Sequence, residues 1–307
     1  MKTRKIGSLD VTVVGLGCNN FGGRLDEAGT HAVIGAAIDA GVTLFDTADI
    51  YGGARSEELV GKALGTKRDQ VVLATKFGIP YEGHEGGAAA GYVARAVEDS
   101  LRRLGTDRID LYQLHAPDSA VPVAETLGAL NDLVVAGKVR VIGCSNFTAA
   151  QLREAEWAAG EGARFESVQN QMSVLSREAE DDVLAVCDEL SIAFLPFYPL
   201  ANGLLTGKYK KGEPIPEGTR LAAFPADRAA HVLSDENFEK LEALRTLAES
   251  HGHSLLELSV AWLLSHRQVA SVIAGATKPE QVQANVAAAG WQLDAEVLTA
   301  IDELAPR

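Results

Sequence analysis

Four polar side chains follow apolar runs of the chain, and together they suit the transfer of a proton to a carbonyl oxygen. They are Asp46, Tyr51, Lys76 and His115. A free tyrosine has a pKa of about 10, and a neighbouring ammonium stabilises its phenolate and pulls that pKa down. Asp46 would keep Lys76 charged, and His115 would orient the carbonyl oxygen or help to shuttle the proton. Each residue alone is typical of a cap, a loop or a surface charge, so the hypothesis depends on all four meeting.

The elements that must position them alternate between apolar runs and helical patterns, which is typical of parallel strands joined by crossover helices. We predict strands at 13–16, 42–46, 71–76, 109–114, 139–144, 166–170, 192–197 and 271–274. We predict helices at 30–40, 56–64, 91–104, 123–136, 148–159, 178–189, 236–251, 254–265 and 294–304. The fold class is therefore α/β, a (β/α)8 or TIM barrel, in which the strand ends face one shared site.

The length of 307 residues fits this barrel, which needs roughly 250 residues. We predict one domain over 1–307, with extra helices and a long loop before the last strand. Two regions break the alternation, at 83–91 and at about 201–235, and loops of that length are usually functional. Thr148 with Gln151, and Ser254 with Glu257, have the spacing of capping boxes that begin helices.

Composition narrows the function classes. The net charge of −14 argues against nucleic acid, whose phosphates demand a basic surface. No apolar run approaches the roughly 20 residues that span a bilayer, and the seven histidines lack the spacing of metal ligands. The odd number of cysteines (Cys18, Cys144 and Cys187) is most simply explained by reduced thiols in a cytoplasm. We expect neither a metal nor a membrane, and the sequence does not predict an oligomeric state.

Six segments, in order along nearly the whole chain, resemble motifs of the aldo-keto reductases. They are 41–52, 107–115, 143–147, 169–170, 199–200 with 203–208, and 275–281. The resemblance implies a catalytic tetrad of Asp46, Tyr51, Lys76 and His115. It also implies reduction of an aldehyde or ketone with a nicotinamide cofactor, usually NADPH, that is bound without a Rossmann domain.

The resemblance further implies where the cofactor lies. Ser145, Asn146 and Gln169 should bind the nicotinamide carboxamide, and Leu200 and Lys208 should meet the pyrophosphate. The adenosine end should lie among residues near 277–285. The full set of expected cofactor contacts is Gly17, Cys18, Asp46, Ser145, Asn146, Gln169, Phe197, Tyr198, Leu200, Lys208, Gly275, Thr277, Lys278, Gln281 and Asn285.

Two local features bear on that cofactor. Thr277 with Glu280 has the spacing of a capping box, and Lys278 adds a cation beside the helix N-terminus, which favours the extra phosphate of NADPH. Phe197 and Tyr198 stand where the family often has tyrosine and then serine. Phe197 can still stack on the nicotinamide, but it lacks the hydroxyl, and Tyr198 adds bulk that could narrow the channel.

Two other functions stay open. The chain could be a regulatory subunit that binds the cofactor tightly and has slow or vestigial reductase activity. It could also be a barrel lyase or isomerase with Lys76 as a Schiff base, which Ser145, Asn146 and Gln169 disfavour. The substrate would be set by loops at 21–26, 81–90, 116–121 and 201–232, whose mixed composition does not predict a particular aldehyde or ketone.

Overall fold

A closed ring of eight parallel strands forms the centre of the computed structural model, which describes residues 1–307. An antiparallel hairpin precedes the ring and consists of β1 (Thr3–Ile6) and β2 (Leu9–Thr12). The ring strands are β3 (Val14–Gly17), β4 (Leu44–Asp46), β5 (Val72–Phe77), β6 (Ile109–Leu114), β7 (Val139–Ser145), β8 (Phe165–Gln171), β9 (Ala193–Phe197) and β10 (Val272–Gly275). All eight predicted strands are confirmed.

The order of the strands around the sheet is β10-β3-β4-β5-β6-β7-β8-β9. Phe194 closes the ring: its backbone N–H donates to Gln268 O over 2.7 Å, and its carbonyl accepts from Ala270 N over 2.9 Å. The predicted (β/α)8 fold is therefore confirmed.

Eleven α-helices surround or follow the strands. They are α1 (Glu27–Asp39), α2 (Arg55–Leu64), α3 (Ala90–Leu104), α4 (Val123–Val135), α5 (Ala149–Ala159), α6 (Val183–Leu190), α7 (Ala226–Val232), α8 (Asp235–Ser250), α9 (Leu255–Ser265), α10 (Pro279–Ala287) and α11 (Ala295–Leu304). The predicted helix at 178–189 is divided into a 3-10 turn (Glu178–Glu180) and α6. The long loop also has structure of its own, since it holds α7 and two 3-10 turns, Ala201–Thr206 and Leu221–Ala223.

The hairpin plugs one end of the barrel. Ile6, Leu9 and Val11 are buried in one cluster with inward-facing strand residues such as Leu44 and Leu111. Burial of these apolar side chains removes water from that end of the ring. The polar strand ends therefore have access to solvent only at the opposite, carboxyl-terminal mouth. This hairpin was not predicted from the sequence.

Helix starts follow the predicted capping chemistry at two positions out of three. Thr148 with Gln151 and Ser254 with Glu257 form complete capping boxes. The predicted box of Thr277 with Glu280 is wrong, because α10 begins after Lys278.

The reason is the proline at the first position of α10. Proline suits that position and confines the preceding residue to extended backbone, so Lys278 is the N-cap, with φ −147°. Thr277 lies outside the helix and donates its backbone N–H to Gln281 Oε1 over 2.7 Å. No helix in the structure has the length and apolar character to cross a membrane.

Candidate active site

Asp46 and Lys76 form a buried ion pair inside the mouth of the barrel. Side chains alternate along a strand, so Asp46 shares the inward face of β4 with Leu44, as Lys76 shares that of β5 with Ala74. Lys76 is fully buried, and its Nζ donates to Asp46 Oδ2 over 2.6 Å and to Thr47 O over 2.9 Å. In this water-poor interior each charge depends on the other.

Tyr51 and His115 complete the group that the sequence analysis singled out. Tyr51 lies in the turn between β4 and α2, and Lys76 Nζ is 5.1 Å from the centroid of its ring. The His115 ring meets Tyr51 edge-on, with centroids 5.8 Å apart. The turn requires a glycine at Gly52, whose φ is +60° and where a Cβ would lie 2.6 Å from Phe21 O. The structure therefore brings the four side chains together.

Burial and charge act in opposite directions on the Tyr51–Lys76 pair. Burial raises the pKa of Tyr51, the ammonium of Lys76 opposes this, and the net pKa is above the ordinary value. The expectation of a lowered tyrosine pKa is therefore wrong for this structure, because it considered the neighbouring charge and not the loss of water. Burial lowers the pKa of Lys76, but the charges of Asp46 and Tyr51 outweigh it, and the net pKa is raised. Lys76 is thus an ammonium at neutral pH.

His115 is a neutral imidazole at neutral pH. Burial, and then the positive charge of Lys76, lower its pKa to about 3. Its Nδ1 is buried and has no hydrogen-bond partner in the protein. A neutral ring can donate one hydrogen bond to a substrate oxygen, but it has no extra proton to give. Of the two roles that the sequence left open, the charge state favours orientation of the oxygen.

A fifth polar residue, Gln113, joins the group, and the sequence analysis missed it. Its Nε2 donates to Asp46 Oδ1 over 3.1 Å, and Gln169 Nε2 donates to the same oxygen over 3.1 Å. Gln113 is fully buried on the inward face of β6. A glutamine between Tyr112 and Leu114 in a buried strand was the available signal, since a buried amide needs polar partners.

The residues expected at the carboxamide lie together at the ends of β7 and β8. Ser145 Oγ donates to Gln169 O over 2.6 Å, and Asn146 Nδ2 donates to His115 O over 2.9 Å. Asn146 adopts a positive φ of 62°, which asparagine tolerates better than most residues. The amide and hydroxyl groups of this cluster thus include both hydrogen-bond donors and hydrogen-bond acceptors.

On the opposite side of the mouth, Gly17 and Gly275 pair at the ends of β3 and β10. Two glycines side by side leave the backbone accessible for close approach of a ligand. Cys18 follows directly; its N–H donates to Asp46 O over 2.9 Å, and burial raises the pKa of its thiol. Cys18 therefore contributes backbone to this part of the wall and not a thiolate.

Three cations converge at the mouth, of which the sequence analysis named only Lys208. Partial burial and the charges of Arg24 and Arg220 lower the pKa of Lys208. None of the three has a carboxylate within 4.0 Å, although the structure contains many such pairs elsewhere. Arg220 lies over the Tyr198 ring at 4.7 Å, and Arg24 bonds to Asn20 Oδ1 over 3.3 Å and to Gly218 O. Repulsion among unpaired cations is relieved by an anion such as a phosphate.

The remaining expected cofactor contacts lie at or after the end of β9 and in or just before α10. Phe197 ends β9 and meets Tyr198 edge-on, with ring centroids 5.2 Å apart. Leu200 precedes the 3-10 turn Ala201–Thr206, and Lys278 is exposed at the start of α10. Further along α10, Gln281 is exposed and held by Thr277, whereas Asn285 is buried.

These features fit a nicotinamide dinucleotide. Ser145, Asn146 and Gln169 offer hydroxyl and amide groups to a carboxamide, Phe197 offers an aromatic face, and the unpaired cations suit phosphates. Between them lies the ion pair of Asp46 and Lys76 beside the Tyr51 phenol. The arrangement can hold a charged cofactor and deliver a proton at the same mouth.

Comparison with known proteins gives consistent results over nearly the whole chain. The model of the Aldo/keto reductase family matches residues 13–306. Aldo-keto reductase YhdN of Bacillus subtilis (strain 168) is 37% identical over 301 residues, covering 94% of this chain and 88% of the relative. A probable voltage-gated potassium channel subunit beta of Oryza sativa subsp. japonica is 35% identical over 279 residues, covering 87% of this chain and 84% of that protein.

A solved structure is also similar. The holo form of aldo-keto reductase AKR11C1 from Bacillus halodurans matches with a TM-score of 0.82 and 32% sequence identity. The match covers 99% of this chain and 96% of the other.

Proposed function

Because the chain belongs to the aldo/keto reductase family and is an NAD(P)H-dependent oxidoreductase, we propose that it reduces an aldehyde or ketone, with Tyr51 as the proton donor. The observation that carries the proposal is the position of the Lys76 ammonium between the carboxylate of Asp46 and the Tyr51 phenol. The reduced nicotinamide, when bound, supplies the hydride that a carbonyl carbon accepts. The chain supplies the rest of the chemistry.

The proposed work of the chain begins with the carbonyl oxygen. The neutral imidazole of His115 donates a hydrogen bond to this oxygen and holds it near Tyr51. Negative charge then builds on the oxygen, and the Tyr51 hydroxyl transfers its proton there. Lys76 stabilises the phenolate that remains, and Asp46 keeps Lys76 charged. In alcohol oxidation the same phenolate takes the proton back.

We propose that residues at the same mouth of the barrel bind the cofactor. Ser145, Asn146 and Gln169 bind the carboxamide, and Phe197 stacks on the ring. Lys208, joined by Arg24 and Arg220, neutralises the pyrophosphate. Thr277, Lys278, Gln281 and Asn285 form the adenosine end, as expected from the resemblance.

We propose NADPH as the preferred cofactor. Lys278 is exposed at the N-terminus of α10 with no side-chain cap bond, so its ammonium is available for an additional phosphate. The ordinary partner is a small-molecule carbonyl compound and, given the net charge of −14, not a nucleic acid. A cytoplasmic location agrees with the three cysteines being free and buried.

A second candidate is a regulatory subunit that binds the cofactor and turns over slowly. The 35% identity to a probable potassium channel subunit beta is the observation that favours it. The four side chains of the proton-donor group are nevertheless all present and together in this chain, which supports turnover as the main function.

The test is a screen of aldehydes and ketones with NADPH and, separately, NADH, following nicotinamide oxidation and determining each Kd by fluorescence titration. Turnover that is faster with NADPH supports the proposal. Tight NADPH binding with negligible turnover on every carbonyl compound would favour the regulatory candidate. Equal or better use of NADH would contradict the assignment of Lys278 to a phosphate.

A further inference from the structure

Gln113 lies in the wall of the barrel and is connected to Lys76 and Tyr51 through Asp46. It occupies the inward position two residues after Leu111, in the layer that also holds Asp46 and Lys76. In the barrel pattern this layer is normally filled by packed side chains. Here the side chain is an amide with no exposed surface. A buried amide at this level needs a reason, because an unpaired amide would cost free energy.

The neighbouring strand leaves room for that amide. Gly143 of β7 occupies the adjacent inward position, and a Cβ there would lie 3.3 Å from Gln113 Cγ and 2.4 Å from Ser167 Oγ. Any larger residue at 143 would crowd the glutamine stem. The sequence thus combines a long polar side chain on β6 with a glycine on β7.

The hydrogen bonds divide the two oxygens of Asp46 between different partners. Oδ2 accepts from Lys76 Nζ over 2.6 Å, whereas Oδ1 accepts from the Nε2 atoms of Gln113 and Gln169, each over 3.1 Å. Gln169 Nε2 also lies 3.3 Å from Gln113 Oε1. A carboxylate that is held at both oxygens cannot rotate freely, so Gln113 fixes the oxygen that faces the lysine.

We propose that Gln113 is a positioning residue that sets the strength of Tyr51 as a proton donor, acting through Asp46 and Lys76. The inference rests on the proposed function. Its amide donor stabilises the negative charge of Asp46 and keeps Oδ2 directed at Lys76. Without the donor, Asp46 draws the lysine proton toward itself, and Lys76 stabilises the Tyr51 phenolate less. The effect falls on proton transfer and not on the capture of substrate.

The decisive variant is Gln113→Met, which keeps the length of the side chain and removes both polar groups. We expect kcat for carbonyl reduction to fall about tenfold, a factor typical of one lost hydrogen bond to a charged group. The KM for the carbonyl compound and the Kd for NADPH should stay within about threefold, since chemistry changes more than binding. Gln171→Met is the matched control, because Gln171 is exposed on β8 and bonds only to Ser176.

Two readouts separate positioning from a merely structural role. In alcohol oxidation, where the Tyr51 phenolate is the base, the acid limb of the pH profile should move to higher pH in Gln113→Met. In carbonyl reduction, the solvent deuterium isotope effect on kcat should increase. An unchanged pH profile and isotope effect in a folded variant would overturn the inference, even if kcat fell.

Gln113→Glu provides an independent check with nearly the same shape. At neutral pH its carboxylate would repel Asp46 and depress kcat, but once protonated it can donate to Asp46 Oδ1. Activity relative to the wild type should therefore recover as the pH is lowered, and absence of that recovery would contradict the inference. Should Gln113→Met fail to fold, this result decides alone. A wild-type enzyme without any carbonyl turnover would instead contradict the proposed function.

Discussion

Asp46 and Asp49 are two buried carboxylates on one short segment, yet their surroundings differ. Asp46 faces the barrel interior, where Lys76, Gln113 and Gln169 satisfy both of its oxygens. Asp49 is 1% exposed and faces α3, and its Oδ1 has no hydrogen-bond partner in the protein. It borders a cavity of about 70 Å³ that is also lined by Tyr81, His84, Tyr92, Arg95, Ala96, Asp99 and Arg103.

The surroundings of Asp49 raise its pKa. Burial, and then the negative charge of Glu57, raise the pKa of Asp49 to about 7, although Arg103 and Lys76 oppose them. Arg103 already forms an ion pair with Glu57, with its Nε 2.6 Å from Glu57 Oε2. Burial alone therefore does not decide whether a carboxylate is charged. Asp46 has a dedicated cation and two amide donors, whereas Asp49 lacks an equivalent set.

The largest effect is expected when the ion pair between Asp46 and Lys76 is broken. Lys76→Met leaves Asp46 without its cation and removes the charge that stabilises the Tyr51 phenolate. We expect turnover to fall at least about a hundredfold, the scale of general acid catalysis, and unfolding free energy to fall by about 3–5 kcal/mol. Steady-state kinetics and urea unfolding measure the two effects, and the exposed Lys67→Met is the control. Turnover near the wild-type rate would remove Lys76 from the mechanism.

A second variant tests the buried group of Asp49, Glu57 and Arg103 without changing a residue at the mouth of the barrel. Glu57 is fully buried, accepting from Arg103 and from Thr75 Oγ1 over 2.6 Å. Glu57→Gln should lower the unfolding free energy by about 3–5 kcal/mol, because Arg103 loses its counter-charge. The kcat of the folded fraction should change less than about threefold, a small part of the range spanned by general acid catalysis. The exposed neighbour Glu58→Gln is the control, and a selective loss of kcat would contradict the separation of the two regions.

The pH dependence of stability tests Asp49 directly. Its folded pKa of about 7 is above the ordinary 3.8, so its carboxyl favours folding while protonated and loses that contribution as the pH rises toward 7. Between pH 5 and 8 the wild type should therefore lose about 2–3 kcal/mol relative to Asp49→Asn. Urea unfolding at both pH values measures this, with Asp132→Asn as an exposed control. Parallel curves for wild type and Asp49→Asn would show that Asp49 is charged throughout.

Much of the framework could be predicted from the sequence, because the barrel strands are largely apolar and glycines separate the helices from the strands that follow them. β6 was predicted with its observed bounds, Ile109–Leu114. The hairpin at Thr3–Ile6 was not, since a short strand of mixed polarity lacks that signal and forms only by packing under the barrel. The start of α10 was misplaced because Pro279 determines the cap more strongly than the spacing of Thr277 and Glu280.

The site residues could be predicted where the residue type alone implies the chemistry. They could not be predicted where burial in the folded barrel determines a hydrogen-bond partner or a pKa. Asp46, Tyr51, Lys76 and His115 were named from the strand ends, and the structure places them together. Gln113 was missed because only the closed barrel shows which amide meets Asp46. Arg24 and Arg220 come from distant loops, and their convergence with Lys208 depends on the path of the long loop. The pKa of Tyr51 also depends on burial that a sequence does not give.

The most direct test of the account is Tyr51→Phe, assayed with NADPH and a carbonyl substrate of the wild-type enzyme, with Tyr92→Phe as the control. Removing one hydroxyl takes away the proposed proton donor and leaves the ring between Lys76 and His115. Turnover should disappear, while the Kd for NADPH stays within about threefold and the melting temperature is unchanged, because the hydroxyl is lost from chemistry and not from binding. Retained turnover in the purified variant would contradict the assignment of Tyr51 as the proton donor.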